Sequence, residues 1–526
     1  MGTRRFAPAV FLVTAVCALL ASPPAHADFI DHFATTEDVG RAKVPAFGSA
    51  RVLVLTIEVD GFDPLDMEAI EAYFDPNAPA GQPSFTDYFK RMSQGAYEPV
   101  ADVIEPIRFE GCPLPEDYFG FEDCFIPRNG GGGAEALDTL EVGLGLLEEI
   151  IERVDEERGV DFSLYDTNGP DGQPDGWIDG VLLLHNINFG GIALPVFFVR
   201  RDGPIIVDET QINIVGIAES PNVALHEFGH LLGWADLYDE SGKTQGLQYS
   251  SMGSWGYETP PPALDAFSRI AVGWAEPQVV KVGQSLTDVR LPPVADSGAI
   301  LQLGEGDEYF LVENRGAVSG DYIDAGIDGR GLAVYHVNKA RLPNPQEGGW
   351  PLRLLNCLNC EPWEPFLMNE QADGKFNLQS QLGRRNDDDD LFKDADDKLV
   401  PNTINFLPLD ENNKAYSSNT YNGAVTGVSL TNVRVQGDDI LVDVSVEEPC
   451  SIVSCNSGKV CVEGRCVEGD DVPDDNPDDD TPDDETPEET ASASSGGGCA
   501  TSPTQSGGAA TLFMLLLLGL ALRRKN

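Results

Sequence analysis

"PNVALHEFGHLLGWADLYDE", residues 221–240, sets two histidines four positions apart in an apolar stretch, with a glutamate directly after the first. The whole chain has only six histidines. On a helix, positions i and i+4 lie one above the other, so His226 and His230 can present their imidazoles to one point. Neutral imidazole is a good ligand for Zn2+, and a catalytic zinc site takes three protein ligands and keeps one position open. Glu227 then stands beside the open position. There it can take a proton from the attacking water and pass it to a leaving amine. Gly233 has no Cβ, so it can stop the helix at positive φ and turn the chain back. Asp236 is delivered by that turn as the third ligand. Glu258 is the alternative, since glutamate fills this place in some zinc peptidases.

The spacing H-E-x-x-H-x-x-G-x-x-D resembles the metzincin arrangement, with Asp where most such enzymes have His. Downstream, "QYSSMGSWGYE" (248–258) carries Met252 in a tight turn of small residues. A methionine turn beneath the metal is the second metzincin signature. Tyr257 can hydrogen-bond a tetrahedral oxyanion, although a purely structural tyrosine fits that position too.

Net charge and export signals set the context. The 526 residues carry 87 acidic against 34 basic groups, a formal charge of -53. That excludes nucleic acid as a partner, because such binding needs clustered Lys and Arg. Arg4 and Arg5, the apolar run "FAPAVFLVTAVCALLA" and the site Ala25-His26-Ala27 read as a secretory signal over residues 1–27. Cysteine usage suits an oxidising compartment. Cys112 and Cys124 can close a loop, Cys357 and Cys360 form a tight pair, and "CSIVSCNSGKVCVEGRC" (450–466) reads as a disulfide segment whose pairing the sequence leaves open.

Along the chain, "RVLVLTIE" (51–58) reads as a buried strand, and "SFTDYFKRMSQGAYEPV" (84–100) as a helix turning at Gly95 into a second strand. Residues 134–157 have helical spacing, and "GWIDGVLLLHNI" (176–187) is another strand. Residues 285–446 are rich in short alternating runs and should be mostly β. The loop "YDTNGPDGQPDGWIDG" gathers Asp166, Asn168, Asp171, Asp175 and Asp179 among glycines. Ca2+ takes six to eight oxygens on such loops, so these five are candidate calcium ligands, against the plainer reading of a solvated turn. "NDDDDLFKDADD" (386–397) is expected to be a solvated loop, and His185 and His336 to be structural. The acidic, proline-rich stretch 467–498 cannot bury enough apolar surface to fold.

Several motifs then converge on one family. "SFTDYFKRMSQGAY", "HEFGHLLGWADLYD", "SSMGSWG" with "DAFSRIAVGW", "YFLVENR" with "GRGLAVYHVN", and "NEQADG" with "DDDDLF" occur in the order seen in the immune inhibitor A family of secreted bacterial zinc metallopeptidases. The chain resembles that family from about residue 50 to 446. The resemblance implies an α+β fold with a metzincin-like catalytic domain (28–284), a β-rich region (285–446) and endopeptidase activity. It would carry over His226, Glu227, His230 and Asp236. Residues 499–526, with Cys499, an apolar run and a basic end, resemble the tripartite MYXO-CTERM sorting tag. That implies engagement of membrane and sorting machinery and retention at the cell surface. The expected substrates are extracellular proteins or peptides. A non-catalytic binding module and a metal-dependent cell-wall amidase remain the rival readings.

Overall fold

The computed structural model describes residues 44–79, 81–110, 134–169, 171–187, 191–195, 204–212, 214–234, 236–237, 247–253, 261–327, 329–341, 364–376, 389–404, 407–410, 412 and 416–468. The signal segment, Cys112, Cys124, Cys357, Cys360, Tyr257, Glu258, Cys499 and nearly all of the acidic stretch lie outside them.

The run that reads as a buried strand is β1, Gly48–Val59. It pairs in parallel with β2 (Tyr97–Val103), β3 (Ile107–Phe109) and β4 (Val181–His185). Beyond β4, the strand β8 (Ile214–Ala218) is also parallel, and β5 (Gly191–Pro195) closes the sheet antiparallel to β8. A short hairpin, β6 (Ile205–Val207) with β7 (Thr210–Ile212), stands apart. Parallel strands are covered on both faces, which is why β1 reads as one continuous apolar run. Val52 and Val54 enter one core, while Leu53, Leu55 and Ile57 enter another behind the sheet.

The front core takes α1 (Met67–Phe74), α2 (Phe85–Met92) and α4 (Pro221–Leu231). The rear core takes α3 (Ala134–Arg158) through Leu147, Ile150, Ile151 and Val154. Each front helix opens on a side-chain cap: Asp66 on α1, Ser84 on α2 and Ser220 on α4. Helix α2 ends at Ser93, and Gln94 and Gly95 follow with φ of 55° and 81°, so the sequence-predicted turn into β2 is present.

A short helix α5 (Ala266–Ala271) leads into the β-rich part. Its five-stranded sheet has the order β14 (Leu367–Glu370), β13 (Arg330–Asn338), β12 (Glu308–Gly316), β11 (Leu301–Leu303), β9 (Gln278–Val280). A three-stranded sheet of β10 (Gln284–Leu291), β16 (Asp439–Val446) and β15 (Val428–Gln436) packs over it. Phe310, Val312, Leu332 and Val334 fill the space against Leu430, Ile440, Val442 and Val444. The other face of the five-stranded sheet supplies Tyr309, Leu311, Tyr335 and Leu367 to the front core of the first part. The apolar interior therefore runs through residue 284 without a break, and β9, on the near side of that residue, already belongs to the second sheet.

The fold is α+β. After a single turn of helix, α6 (Pro449–Ile452), come the strands β17 (Lys459–Val462) and β18 (Arg465–Glu468), a hairpin cross-linked by Cys450–Cys461 and Cys455–Cys466. This settles the pairing that the sequence left open. Among the described residues no helix is long and apolar enough to cross a membrane.

The segment 386–397 departs from expectation in its described part. Asp390, Leu391 and Phe392 are buried, and Phe392 exchanges backbone hydrogen bonds of 2.8 and 3.1 Å with Leu332. Two apolar residues after the acidic run suffice to dock it on β13.

Candidate metal centre

Helix α4 lies on β8 because β8 leaves room for it. A Cβ on Gly216 would stand 2.8 Å from a Leu182 methyl and 3.1 Å from the Cβ of Glu227. On the same helix, Phe228 contacts the rings of Phe85 and Phe89 at centroid distances of 5.0 and 5.2 Å. The helix ends as the sequence predicts. Gly233 has φ 96°, with its N–H donating to the His230 carbonyl and that of Trp234 to the Gly229 carbonyl, the paired bonds of a Schellman end. The chain then turns back and brings Asp236 to the histidines.

His226 Nε2 lies 3.1 Å from Asp236 Oδ1, and His230 Nε2 lies 3.3 Å from the same oxygen. All three donor atoms fall within 4.8 Å of one another, the one such group of three among the described residues. The other ring nitrogens are anchored. His226 Nδ1–H donates to the Ser251 carbonyl at 2.7 Å, and His230 Nδ1–H to the Trp234 carbonyl at 2.7 Å. A carbonyl only accepts, so Nδ1 carries the hydrogen and Nε2 of a neutral ring keeps its lone pair for a cation.

The charges follow from this placement. Burial alone would lower His230, but the Asp236 carboxylate, with Glu227, overcomes it and pushes the imidazole up to about 9. His226 is raised for the same reason. Burial would raise Asp236, yet the two rings hold it well below the usual carboxylate range. A cation between these groups would take the place of the protons that the rings otherwise hold against Asp236.

Glu227 differs from Asp236 in kind. It is buried, and its Oε2 has no hydrogen-bond partner. Burial pushes its carboxyl up to about 7 despite the two neighbouring imidazoles.

Met252 lies directly beneath the helix, buried, and a Cβ on Gly229 would stand 2.5 Å from its sulfur. The Leu237 N–H donates to the Met252 carbonyl at 3.0 Å. One turn therefore holds His226 through Ser251 and the neighbour of Asp236 through Met252. Sequence reasoning found the methionine and missed the carbonyls, because a backbone group that any residue could supply leaves no signature.

In the candidate calcium loop the carboxylates face backbone amides. Asp179 accepts from the backbone N–H groups of Arg51, Thr167 and Asn168 at 2.9 to 3.1 Å. Asp166 accepts from those of Asp175 and Gly176 at 2.8 and 2.7 Å. Asp171 and Asp175 accept from the N–H two residues on, and Asn168 donates to the Phe47 carbonyl. These carboxylates brace the turn, and no three of them bring ligand oxygens together.

His185 is buried at the end of β4, and burial lowers its imidazole to about 4. His336 sits between two carboxylates, Nδ1 at 3.0 Å from Glu370 and Nε2 at 3.1 Å from Glu308, with Tyr421 stacked 4.0 Å away. That cluster has no local signature, since 28 and 34 positions separate His336 from Glu308 and Glu370.

No family model matches the chain, and no curated protein matches it.

Proposed function

We propose that this protein is a zinc metalloendopeptidase of metzincin-like construction, exported and retained at the cell surface, that hydrolyses extracellular proteins. The observation that carries the reading is the buried, unpartnered Oε2 of Glu227 beside three converging donors. The donors, two imidazoles and a carboxylate within 4.8 Å of one another, are of the kind that zinc takes.

His226, His230 and Asp236 would hold the ion, which when bound supplies Lewis acidity towards water and a carbonyl oxygen. Glu227 accepts the proton of the attacking water and returns it to the departing amine. Its surroundings suit both steps, because its buried Oε2 has no protein hydrogen-bond partner and is left for the water. The Ser251 and Trp234 carbonyls keep both rings turned with Nε2 inward. A peptide substrate is favoured over a cell-wall amide by β5. It is the outer strand on the side of β8 and helix α4 among the described residues, and an extended chain can add itself to such an edge through main-chain hydrogen bonds.

The test is zinc content together with casein hydrolysis, with and without a chelator, for the wild type and Glu227→Gln. The variant should keep stoichiometric zinc and lose about 10²–10⁴-fold in turnover. Near-normal turnover by the zinc-loaded variant would remove Glu227 from the mechanism, and peptidoglycan release without casein hydrolysis would favour the amidase.

A further inference from the structure

The motif "YFLVENR" lies at residues 309–315, some sixty residues beyond the turn that carries Met252. In space the two meet. Arg315, on β12, is wholly buried, and every arm of its guanidinium is occupied. Nε donates to Asp324 Oδ2 at 2.7 Å and Nη2 to Asp324 Oδ1 at 2.7 Å. Nη1 donates to Glu313 Oε1 at 3.1 Å and to the Tyr335 hydroxyl at 2.8 Å. Nη2 also reaches out of the β-rich part to the carbonyls of Tyr249 and Ala263. Asp324 completes the grip by accepting from the Ala263 N–H at 2.7 Å.

Tyr249 begins the turn that runs through Ser250 and Ser251 to Met252. The turn is rigid in its own right. The Ser250 hydroxyl donates to Asp265 at 2.7 Å, and the Gly253 N–H donates to the Ser250 carbonyl at 3.0 Å. Two residues after the carbonyl that Arg315 holds comes the Ser251 carbonyl that orients His226. One residue later comes the Met252 carbonyl that receives the Leu237 N–H, next to Asp236.

We propose that Arg315 is a positioning residue for the metal centre. Fixed by Glu313, Asp324 and Tyr335, it sets the Tyr249 carbonyl and through this one turn aims both His226 and Asp236. The effect on zinc rests on the function proposed above; the effect on the His226 ring does not. Lysine cannot replace the fork, because an ammonium is a point charge with three donors and no fixed plane. Groups that orient a metal ligand typically change metal affinity by about 10–100-fold when lost.

The experiment compares Arg315→Lys with Val312→Ala. Val312 lies on the opposite face of β12, against the sandwich core, so its truncation lowers stability without touching the turn. Two readouts are taken: zinc affinity by competition with a chelator, and the ring nitrogen resonances of protein labelled with 15N-histidine, of which the full chain has six. Arg315→Lys should move the His226 Nδ1 resonance and weaken zinc binding about 10–100-fold. Val312→Ala should leave both unchanged at a comparable loss in melting temperature. Tyr335→Phe, which removes one of the Arg315 partners, should shift both in the same direction by less, and decides the matter if Arg315→Lys does not fold. Equal changes in the Arg315 and Val312 variants, or no change in a folded Arg315→Lys, would overturn the proposal. If the wild type takes up no zinc, the peptidase reading falls while the His226 resonance still tests the clamp.

Discussion

Asp236 and Glu227 are two carboxylates at one site with different environments. Asp236 puts a single oxygen within 3.1 and 3.3 Å of both histidines, whereas Glu227 keeps an oxygen without any partner. Their substitution should separate the two roles. Asp236→Ala should release zinc under mild chelation, because two histidines alone do not complete the set that a catalytic zinc requires. Glu258→Ala should retain it. Metal analysis after dialysis checks this, and the reverse ranking would make Glu258 the third ligand. The candidate ligands were legible in the sequence because the constraint is local: histidines four positions apart, and a glycine that ends the helix. The anchoring of their far nitrogens was not legible, since it depends on the Ser251 and Trp234 carbonyls.

At the scale of elements, the site depends on two close approaches made possible by glycine. Gly216 admits helix α4 to the sheet and Gly229 admits the sulfur of Met252 to the helix. Gly229→Ala would put a methyl 2.5 Å from that sulfur and 2.9 Å from the Trp234 ring. Overpacking of this kind costs about 1–3 kcal/mol. The expected outcome is a lower melting temperature and weaker zinc binding together, read by calorimetry and chelator competition, because the displaced turn also carries the Ser251 carbonyl. The same scale shows how the aspartate-rich loop is braced. Asp166 and Asp179 are placed for backbone amides of the turn, and calcium loops and capped turns draw on the same residues. Strands β1, β2 and β4 were readable as apolar runs, helices α2 and α3 from their spacing of apolar residues, and α4 from its histidine motif. The docking of Leu391 and Phe392 on β13 was not, because two residues make no period.

The whole molecule joins its halves through buried charge. Arg269, Glu313, Arg315 and Asp324 are nearly or wholly excluded from solvent, and removing one member of such a set typically costs about 3–5 kcal/mol. On the far side, His336 ties β13 to Glu308 on β12 and Glu370 on β14, with Tyr421 stacked upon it. Burial would lower this imidazole, but the two glutamates push it up to about 9. An unfolded histidine titrates near 6.5. The raised value means that the stabilisation is complete below about 6.5 and is lost as pH rises through about 9. The melting temperature should therefore fall between pH 7 and 10, and His336→Gln should flatten that alkaline slope. An unchanged slope would show that the imidazole is not held charged by its two neighbours.

The cross-linked hairpin at residues 450–466 has a mechanical consequence. Cys466 is bonded to Cys455 across eleven positions, and Cys461 to Cys450 across another eleven. A pull applied beyond Glu468 passes through the sulfur bridge to Cys455 and on to residue 450, so the hairpin cannot pay out its length. The load arrives instead at the end of β16, the central strand of its sheet, held on both sides by β10 and β15. Drag on a chain tethered by its tail would thus be resisted in shear by a strand hydrogen-bonded on both edges, while the histidines of α4 lie on a different sheet and outside the line of force.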